Sequence, residues 1–483
     1  MNVPVMMYLM SWVPMLMGAA LLIPCVYAVF IADSTAWIYL ALAGGMGALG
    51  GILFYAGRDH RQYVSLREAA PFTFLLWVWI CFLGIFPFYC TGALNLAEAF
   101  LESVCTATTT GFSFLLFYND AYSPVLLWHA VFGWMGGLAF LVMVVTVLPI
   151  VSGCFGLKLA FRKTMSFSFM LKQMESVARQ VVGAYAVLTG IALLLFWLVG
   201  LEGCDIWKAA LLTVSTTGAR DLYTLQDSEK IFWAEMVIFF LMVLSCGNVL
   251  RYWRTVQRRE FSDFYRNAEI KVFIFFSLAL GVIIGIHLWC HGEFGLAEAL
   301  RQAFFHTFSF SSTMGYEISD VSKWPDFDRL LLLLAGFVGG CLGSPTGGLK
   351  VIRFIVLFKL MAVEAKRVLH PHMVSSVIVG GSAVPPPLVG RILSFFFLYV
   401  LTFFCFAMVL SLSGLSMADA VSVAVAGFTT VGNTVGFTGD VTFLEMPVLI
   451  QLATGWFIIL GRIEIFAFLV LAQISSDVVR KKW

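Results

Sequence analysis

Residues 99–112 read Ala-Phe-Leu-Glu-Ser-Val-Cys-Thr-Ala-Thr-Thr-Thr-Gly-Phe. A short, mostly apolar run leads into three threonines and a glycine. The same kind of stretch returns three times. Ala-Leu-Leu-Thr-Val-Ser-Thr-Thr-Gly-Ala occupies 210–219, and Ala-Phe-Phe-His-Thr-Phe-Ser-Phe-Ser-Ser-Thr-Met-Gly-Tyr occupies 303–316. Ala-Val-Ser-Val-Ala-Val-Ala-Gly-Phe-Thr-Thr-Val-Gly-Asn occupies 420–433. The closing glycines, Gly111, Gly218, Gly315 and Gly432, are 107, 97 and 117 residues apart. So near-even a period is too long for a solenoid and suits a unit of span, short re-entrant helix, loop and span. One Thr-Thr-Gly in an apolar chain is ordinarily a helix cap or a packing notch. Four at even spacing, each behind a short apolar helix, read as a set.

The chain around them is built for lipid. Of 483 residues 60% are hydrophobic and 12% charged, and the mean hydropathy is +0.92. A soluble chain of this length needs far more charge to cover its surface. The net charge of +2 argues against nucleic acid as a partner. Ten cysteines include no C-x-x-C and no Cys/His cluster at metal spacing, which points to small buried thiols rather than a disulfide framework.

A transmembrane helix needs about 20 largely apolar residues. Ten stretches qualify: Tyr8–Ile31, Ala36–Ala56, Phe72–Tyr89, Val125–Val151, Val181–Val199, Ile231–Leu250, Val272–Cys290, Leu330–Val363, Arg391–Ser413 and Met446–Ile474. The first has no basic flank before it and reads as a retained helix, not a cleaved signal. The pattern predicts an all-α membrane protein of ten transmembrane helices with four re-entrant pore helices around a pseudo-fourfold pore. Its units are an N-terminal pair of spans (1–66) and four pore repeats (67–165, 166–262, 263–375 and 376–483).

Basic residues orient it. Of 30 Lys and Arg, 23 fall in alternate segments: 58–67, 158–179, 251–271, 350–367, Arg391 and the C-terminus. Those segments share the cytoplasmic side, and both termini are cytoplasmic. The opposite face carries many acids, among them Asp33, Asp120, Glu202, Asp205, Glu293, Glu317 and Asp326, which concentrate cations near the surface.

The residue types in the four loops suit a dehydrated cation. Backbone carbonyls supply close oxygens without a buried counter-charge. The chain must then approach an axis, which requires a residue lacking Cβ at the turn, and preceding hydroxyls help satisfy non-helical backbone. The candidate ligand set is Thr109, Thr110, Gly111; Thr216, Thr217, Gly218; Thr313, Met314, Gly315; and Thr430, Val431, Gly432. Each short helix also aims its partially negative C-terminal end at that axis.

A second feature interrupts the eighth span. Gly339 to Gly348 contains five glycines with Ser344, Pro345 and Thr346, a composition that does not stay helical. Such a break is tolerated at membrane depth only inside protein or beside a wet cavity. Gly343, Ser344, Pro345, Thr346, Gly347 and Gly348 are therefore candidate gate residues, together with Arg462 from the last span. Arg462 is either a structural charge paired with Glu464 or with carbonyls, or a positive barrier facing the cavity. Lys350 and Arg353 either line the inner mouth or snorkel to the cytoplasmic interface, and snorkelling is the expectation. His129, His287, His291 and His306 form no ligand set and read as packing or interfacial residues. Glu98, Glu298 and Asp419 each open a short helix, where an acid stabilises the N-terminus.

These residues carry a family resemblance. The four loops, the run Gly339-Gly340-Cys341-Leu342-Gly343-Ser344-Pro345-Thr346-Gly347-Gly348-Leu349-Lys350-Val351-Ile352-Arg353, and Leu460-Gly461-Arg462-Ile463-Glu464 resemble the Trk/Ktr/HKT superfamily of K⁺ transporters. Trp134-Met135-Gly136-Gly137 and Lys366-Arg367-Val368-Leu369-His370-Pro371 are similar to its bacterial TrkH/TrkG branch, and the likeness covers essentially the whole chain. It implies K⁺ as the transported ion, with no organic cofactor, in a bacterial inner membrane. A homodimer with one pore per subunit, surrounded by membrane lipid, is implied too, and so is a cytosolic TrkA-type ring that binds nucleotides and gates the pore. In the family an arginine matching Arg462 lies near the intramembrane loop. In related plant transporters a serine at the first filter position goes with Na⁺ preference, whereas all four glycines are present here. Three positions depart from the pattern: Pro345 and Thr346 inside a loop that usually reads Gly-Ser-Thr-Gly-Gly-Gly, Met314 where a small residue is common, and Ala219 in place of an aromatic.

No covalent chemistry is implied, so the chain does not read as an enzyme. A membrane-embedded enzyme would need His, Asp or Glu clustered at mid-depth. The alternative within the same fold is a K⁺ symporter coupled to H⁺ or Na⁺, which wants a buried titratable acid. Glu235 and Glu464 are its candidates.

Overall fold

A computed structural model describes residues 3–58, 66–117, 123–146, 167–218, 228–259, 267–292, 294–370, 372–373, 375–435 and 446–463. Nearly all of it is helix. The helices are α1 Val3–Met10, α2 Trp12–Phe30, α3 Ala36–Gly57, α4 Leu66–Cys90, α5 Leu96–Ala107, α6 Pro124–Thr146, α7 Phe167–Val199, α8 Cys204–Ser215 and α9 Ser228–Ser245. They continue as α10 Val249–Arg258, α11 Ala268–His291, α12 Leu296–Ser311, α13 Asp326–Val338, α14 Val351–Leu369, α15 Pro386–Ser411, α16 Met417–Phe428 and α17 Val448–Arg462. A two-residue antiparallel ribbon, Ile378–Val379 with Ser382–Ala383, joins α14 to α15.

Among the described residues seven helices are long and apolar enough to cross a membrane, or eight if one bent pair counts as a single span. The bent pair corrects a sequence expectation. Ile231–Leu250 reads as one straight span, but α9 and α10 meet at 89°. Asn248 caps α10 by accepting from the Arg251 amide at 3.0 Å, so a new helix begins where a continuation was expected. The eighth expected span ends as α13 at Val338 and resumes as α14 at Val351, with non-helical chain between them. Only the first part of the last one is described, and Glu464 lies outside the described residues.

Apolar helices cannot use the hydrophobic effect to find each other in lipid, so close packing decides where they sit. Glycine supplies the closeness. A Cβ on Gly18 of α2 would come 2.9 Å from the Ala43 carbonyl of α3, and one on Gly57 would come 2.6 Å from the Pro4 carbonyl of α1. The Trp134-Met135-Gly136-Gly137 run works in the same way. Gly136 lets α6 ride on the Ala107 carbonyl at the end of α5, while Gly137 sits against Tyr185 and Ser215 of the next repeat. Its two glycines thus wedge α6 between the first and second short helices.

Of the four short helices α5, α8, α12 and α16, the first and last begin at side-chain caps. Asn95 and Glu98 form a capping box on α5, and Ser416 caps α16 while donating its hydroxyl to Asp419 at 2.7 Å. Glu298 opens α12 and pairs with Arg301 at 2.9 Å. The first two acids serve the helix ends that their position suggests, and the third does so while bound to a cation.

Candidate functional site

Each short helix ends in the same way. An amide two or three places beyond its last helical residue bonds a carbonyl five residues back: Thr110 to Cys105 at 2.8 Å, Thr217 to Leu212 at 3.1 Å, Met314 to Ser309 at 3.0 Å and Val431 to Ala426 at 2.9 Å. This is the Schellman closure, whose left-handed position usually takes glycine. Here threonine occupies it every time, with φ of 56° at Thr109, 60° at Thr216, 55° at Thr313 and 59° at Thr430. A β-branched residue at positive φ is a strained conformation costing about 1–3 kcal/mol. Four copies of the strain, all fully buried, mark these loops as something other than ordinary helix ends.

Two residues later each glycine is left-handed again, at 79°, 73°, 68° and 70° for Gly111, Gly218, Gly315 and Gly432. Their missing side chains point around a closed circuit. A Cβ on Gly111 would lie 2.5 Å from the Thr217 carbonyl oxygen, and one on Gly218 would strike the Met314 carbonyl. Gly315 faces the Val431 carbonyl in the same manner, and Gly432 faces Thr110, which returns to the first loop. The structure therefore brings all twelve predicted loop residues together, with each glycine against the carbonyl before the next repeat's glycine. Met314 contributes that carbonyl like its counterparts, and its side chain is buried among apolar neighbours.

The interrupted segment packs directly on this circuit. Gly347 donates its amide to the Thr313 hydroxyl at 2.9 Å, and its Cα lies against Thr429 and Thr430. Neighbours satisfy several more of its backbone groups. Cys341 N bonds Cys246 O at 3.1 Å, Val249 N bonds Gly343 O at 3.1 Å, and Leu342 N reaches a Glu269 carboxylate oxygen at 2.8 Å. The Asn248 amide donates to Leu342 O at 2.8 Å, so the bend between α9 and α10 exists partly to hold this segment.

Arg462 joins the two features. One of its nitrogens donates to Pro345 O at 2.7 Å and the other lies 3.4 Å from the Thr430 hydroxyl, while the guanidinium stacks on Phe140 of α6. Lys350 overturns its expectation. It is buried, at a left-handed φ of 74°, and its ammonium donates to Thr346 Oγ1 at 2.9 Å and to the Thr346 carbonyl. Arg353 is buried as well, 3.9 Å over the Phe395 ring. Both are buried because the interrupted segment turns them inward and offers partners there. Thr109 and Thr216 hydroxyls have no hydrogen-bond partner among the described residues, in contrast to their counterparts Thr313 and Thr430.

Of His129, His287, His291 and His306, three have polar partners, and His291 packs its ring on His287. His129 meets Glu102 at 2.7 Å, His287 meets Asp328 at 2.9 Å, and His306 hydrogen-bonds backbone. Glu102 has no polar neighbour in sequence to announce it beyond Ser103, and its place inside an apolar run was its only signal. Among the described residues no three His, Cys, Asp or Glu side chains converge on a common point. Glu235 is held by Arg301 at 3.0 Å.

Comparison with known proteins agrees with this architecture. Residues 267–482 match the family model described as TrkH, cation transport protein. The Trk system potassium uptake protein TrkH of Salmonella typhimurium is 29% identical over 436 residues, covering 88% of this chain and 89% of the relative. TrkG of Escherichia coli is 26% identical, covering 97% and 98%. The crystal structure of the potassium transporter TrkH from Vibrio parahaemolyticus superposes with a TM-score of 0.88 at 24% identity, over 98% of both chains, and shows the same fold. Over essentially its whole length, then, this multi-pass helical chain resembles the TrkH/TrkG branch of the Trk/Ktr/HKT superfamily.

Proposed function

We propose that the chain takes up K⁺ across the bacterial inner membrane through a channel-like pore and catalyses no reaction. The observation that carries this reading is the closed circuit of glycines and carbonyls, which brings four backbone oxygens together with no carboxylate among them. In this reading ten spans and four re-entrant helices surround a pseudo-fourfold pore, with both termini cytoplasmic. The segment from Gly343 to Gly348 and Arg462 form the gate. A positive charge beside the path raises a Coulomb barrier to any cation in a low-dielectric interior. Relatives named for potassium uptake support the choice of ion. The name Trk system further supports a partner of the TrkA type, and the family resemblance extends that partner to a nucleotide-binding ring acting on a homodimer.

Tracer flux in liposomes with competing K⁺, Rb⁺ and Na⁺ tests the reading. Preference for K⁺ and Rb⁺ over Na⁺, with a reversal potential that follows the K⁺ gradient alone, is expected. A reversal potential displaced by a pH or Na⁺ gradient would favour the symporter instead. Co-purification with a cognate nucleotide-binding protein tests the ring, and flux indifferent to that protein would count against it.

A further inference from the structure

We propose that Glu102 and His306 are positioning residues that set ion preference from behind two of the four loops. The proposal rests on reading those loops as an ion filter. The two side chains occupy the same place in their repeats, nine residues before the loop glycine, on α5 and α12. Both are fully buried. Each accepts the backbone N–H of the residue three places after the glycine: Phe114 N to Glu102 Oε2 at 2.8 Å, and Ile318 N to His306 Nε2 at 3.4 Å.

The supporting contacts fix what each group does. The other Glu102 oxygen accepts from the Ser113 hydroxyl at 2.8 Å and faces His129 Nδ1 at 2.7 Å. His306 Nδ1 lies 2.8 Å from the Gln302 carbonyl, which only accepts, so the tautomer protonated at Nδ1 satisfies that contact and leaves Nε2 to accept from Ile318 N, beside a further backbone contact with Ser319. Two chemically different side chains thus present the same acceptor to the same backbone position. In the circuit the first loop touches the second and fourth, so the first and third are opposite one another. The fourth loop is tied otherwise, with Val435 N on Asn433 Oδ1 at 2.8 Å and Ser422 bonded to the Thr434 carbonyl. The corresponding part of the second lies outside the described residues.

This arrangement clamps two loops at both ends. The Schellman closure holds the chain entering each loop, and the Glu102 or His306 acceptor holds the chain leaving it. Carbonyls fixed at both ends adjust less to a smaller ion, and that resistance is one source of discrimination between K⁺ and Na⁺. Burying a carboxylate is costly unless its oxygens are all engaged, and those of Glu102 are.

The test is the bi-ionic K⁺/Na⁺ reversal potential of the full chain in planar bilayers. Glu102→Met and His306→Phe keep volume but remove the acceptor, whereas Glu102→Gln and His306→Gln keep one. The Met and Phe variants are expected to lower the K⁺/Na⁺ permeability ratio about three- to tenfold, the scale of one buried hydrogen bond, and the Gln variants to recover most of it. Gly111→Ser is the control on the filter reading. If it lowers the ratio while folded Met and Phe variants keep the wild-type value, the clamp is wrong and the filter stands. If Gly111→Ser also leaves the ratio untouched, the filter reading fails and the clamp with it. Phe114→Pro and Ile318→Pro remove the donor from the other side and decide the matter if the helix variants do not fold. An unchanged ratio in both would overturn the proposal.

Discussion

The guanidinium carbon of Arg462 lies 3.6 Å from the centroid of the Phe140 ring, and the Lys350 ammonium lies 5.7 Å from the same centroid. One phenyl group on α6 therefore faces two buried cations from two later repeats. Both cations are otherwise held by carbonyls and hydroxyls, and both lie against the segment between α13 and α14. The ring is the apolar plate on which that cationic cluster rests.

Replacing Arg462 with Ala removes a positive charge and the donor to Pro345 O together. Partner-free K⁺ flux should rise about tenfold or more, since about 1.4 kcal/mol off a barrier is already tenfold. Arg462→Lys should fall between, because an ammonium cannot bridge and stack as the planar fork does. Single-channel recording from purified protein measures both. Flux unchanged or lowered in a folded Ala variant would make Arg462 a structural residue only.

Phe140→Leu keeps bulk and removes the π face. Cation–π contacts are worth about 0.5–2 kcal/mol, so basal flux should rise about two- to tenfold. Combined with Arg462→Ala the effect should be less than the product of the two, because both act on one contact. Independent effects would show that Phe140 serves packing alone.

The four left-handed threonines should not be equivalent. Thr313 accepts the Gly347 amide, and Thr313→Val leaves that buried N–H unpaired at a cost of about 1–3 kcal/mol. Thr109→Val and Thr216→Val remove hydroxyls that have no partner among the described residues. Basal flux should rise in the first and change little in the other two. Equal behaviour of all three in a flux assay would dissolve the link between loop and gate.

Gly111→Ser adds a Cβ at φ of 79° and 2.5 Å from the Thr217 oxygen. The left-handed conformation alone costs about 1–2 kcal/mol, and the contact displaces a carbonyl. K⁺ preference over Na⁺ should fall. Gly414→Ala supplies the contrast, with φ of 85° and open space around it: thermal unfolding should register the strain while ion competition does not change. Selectivity lost equally in both would point to general destabilisation.

Much of this was legible in one dimension. Apolar length and the alternation of basic segments do not depend on folding, so the helical membrane class and the proposed orientation could be read directly. The four glycines stood out because a Cβ-free position is a chemical identity, visible without coordinates. Gly339 to Gly348 was legible for a related reason, since its composition disfavours helix wherever it sits. Other features needed contacts between distant repeats. Lys350 and Arg353 looked like interfacial residues until the segment was seen turning them inward onto Thr346, Leu349 and Phe395.

By itself the sequence determined the four recurring glycine loops as a group and the place where a membrane helix must break, because each follows from local residue type and spacing. Only the tertiary structure decided that each glycine meets the next repeat's carbonyl in a closed circuit, that threonine takes the left-handed turn, and that α9 and α10 bend by 89°. It alone showed Phe140 facing Arg462, and Glu102 and His306 each accepting a backbone N–H three residues past a loop glycine. The reason is physical: a carbonyl, a hydroxyl or a ring face has no preference for a partner until folding sets the distance between them, and these partners lie in different repeats or across a loop.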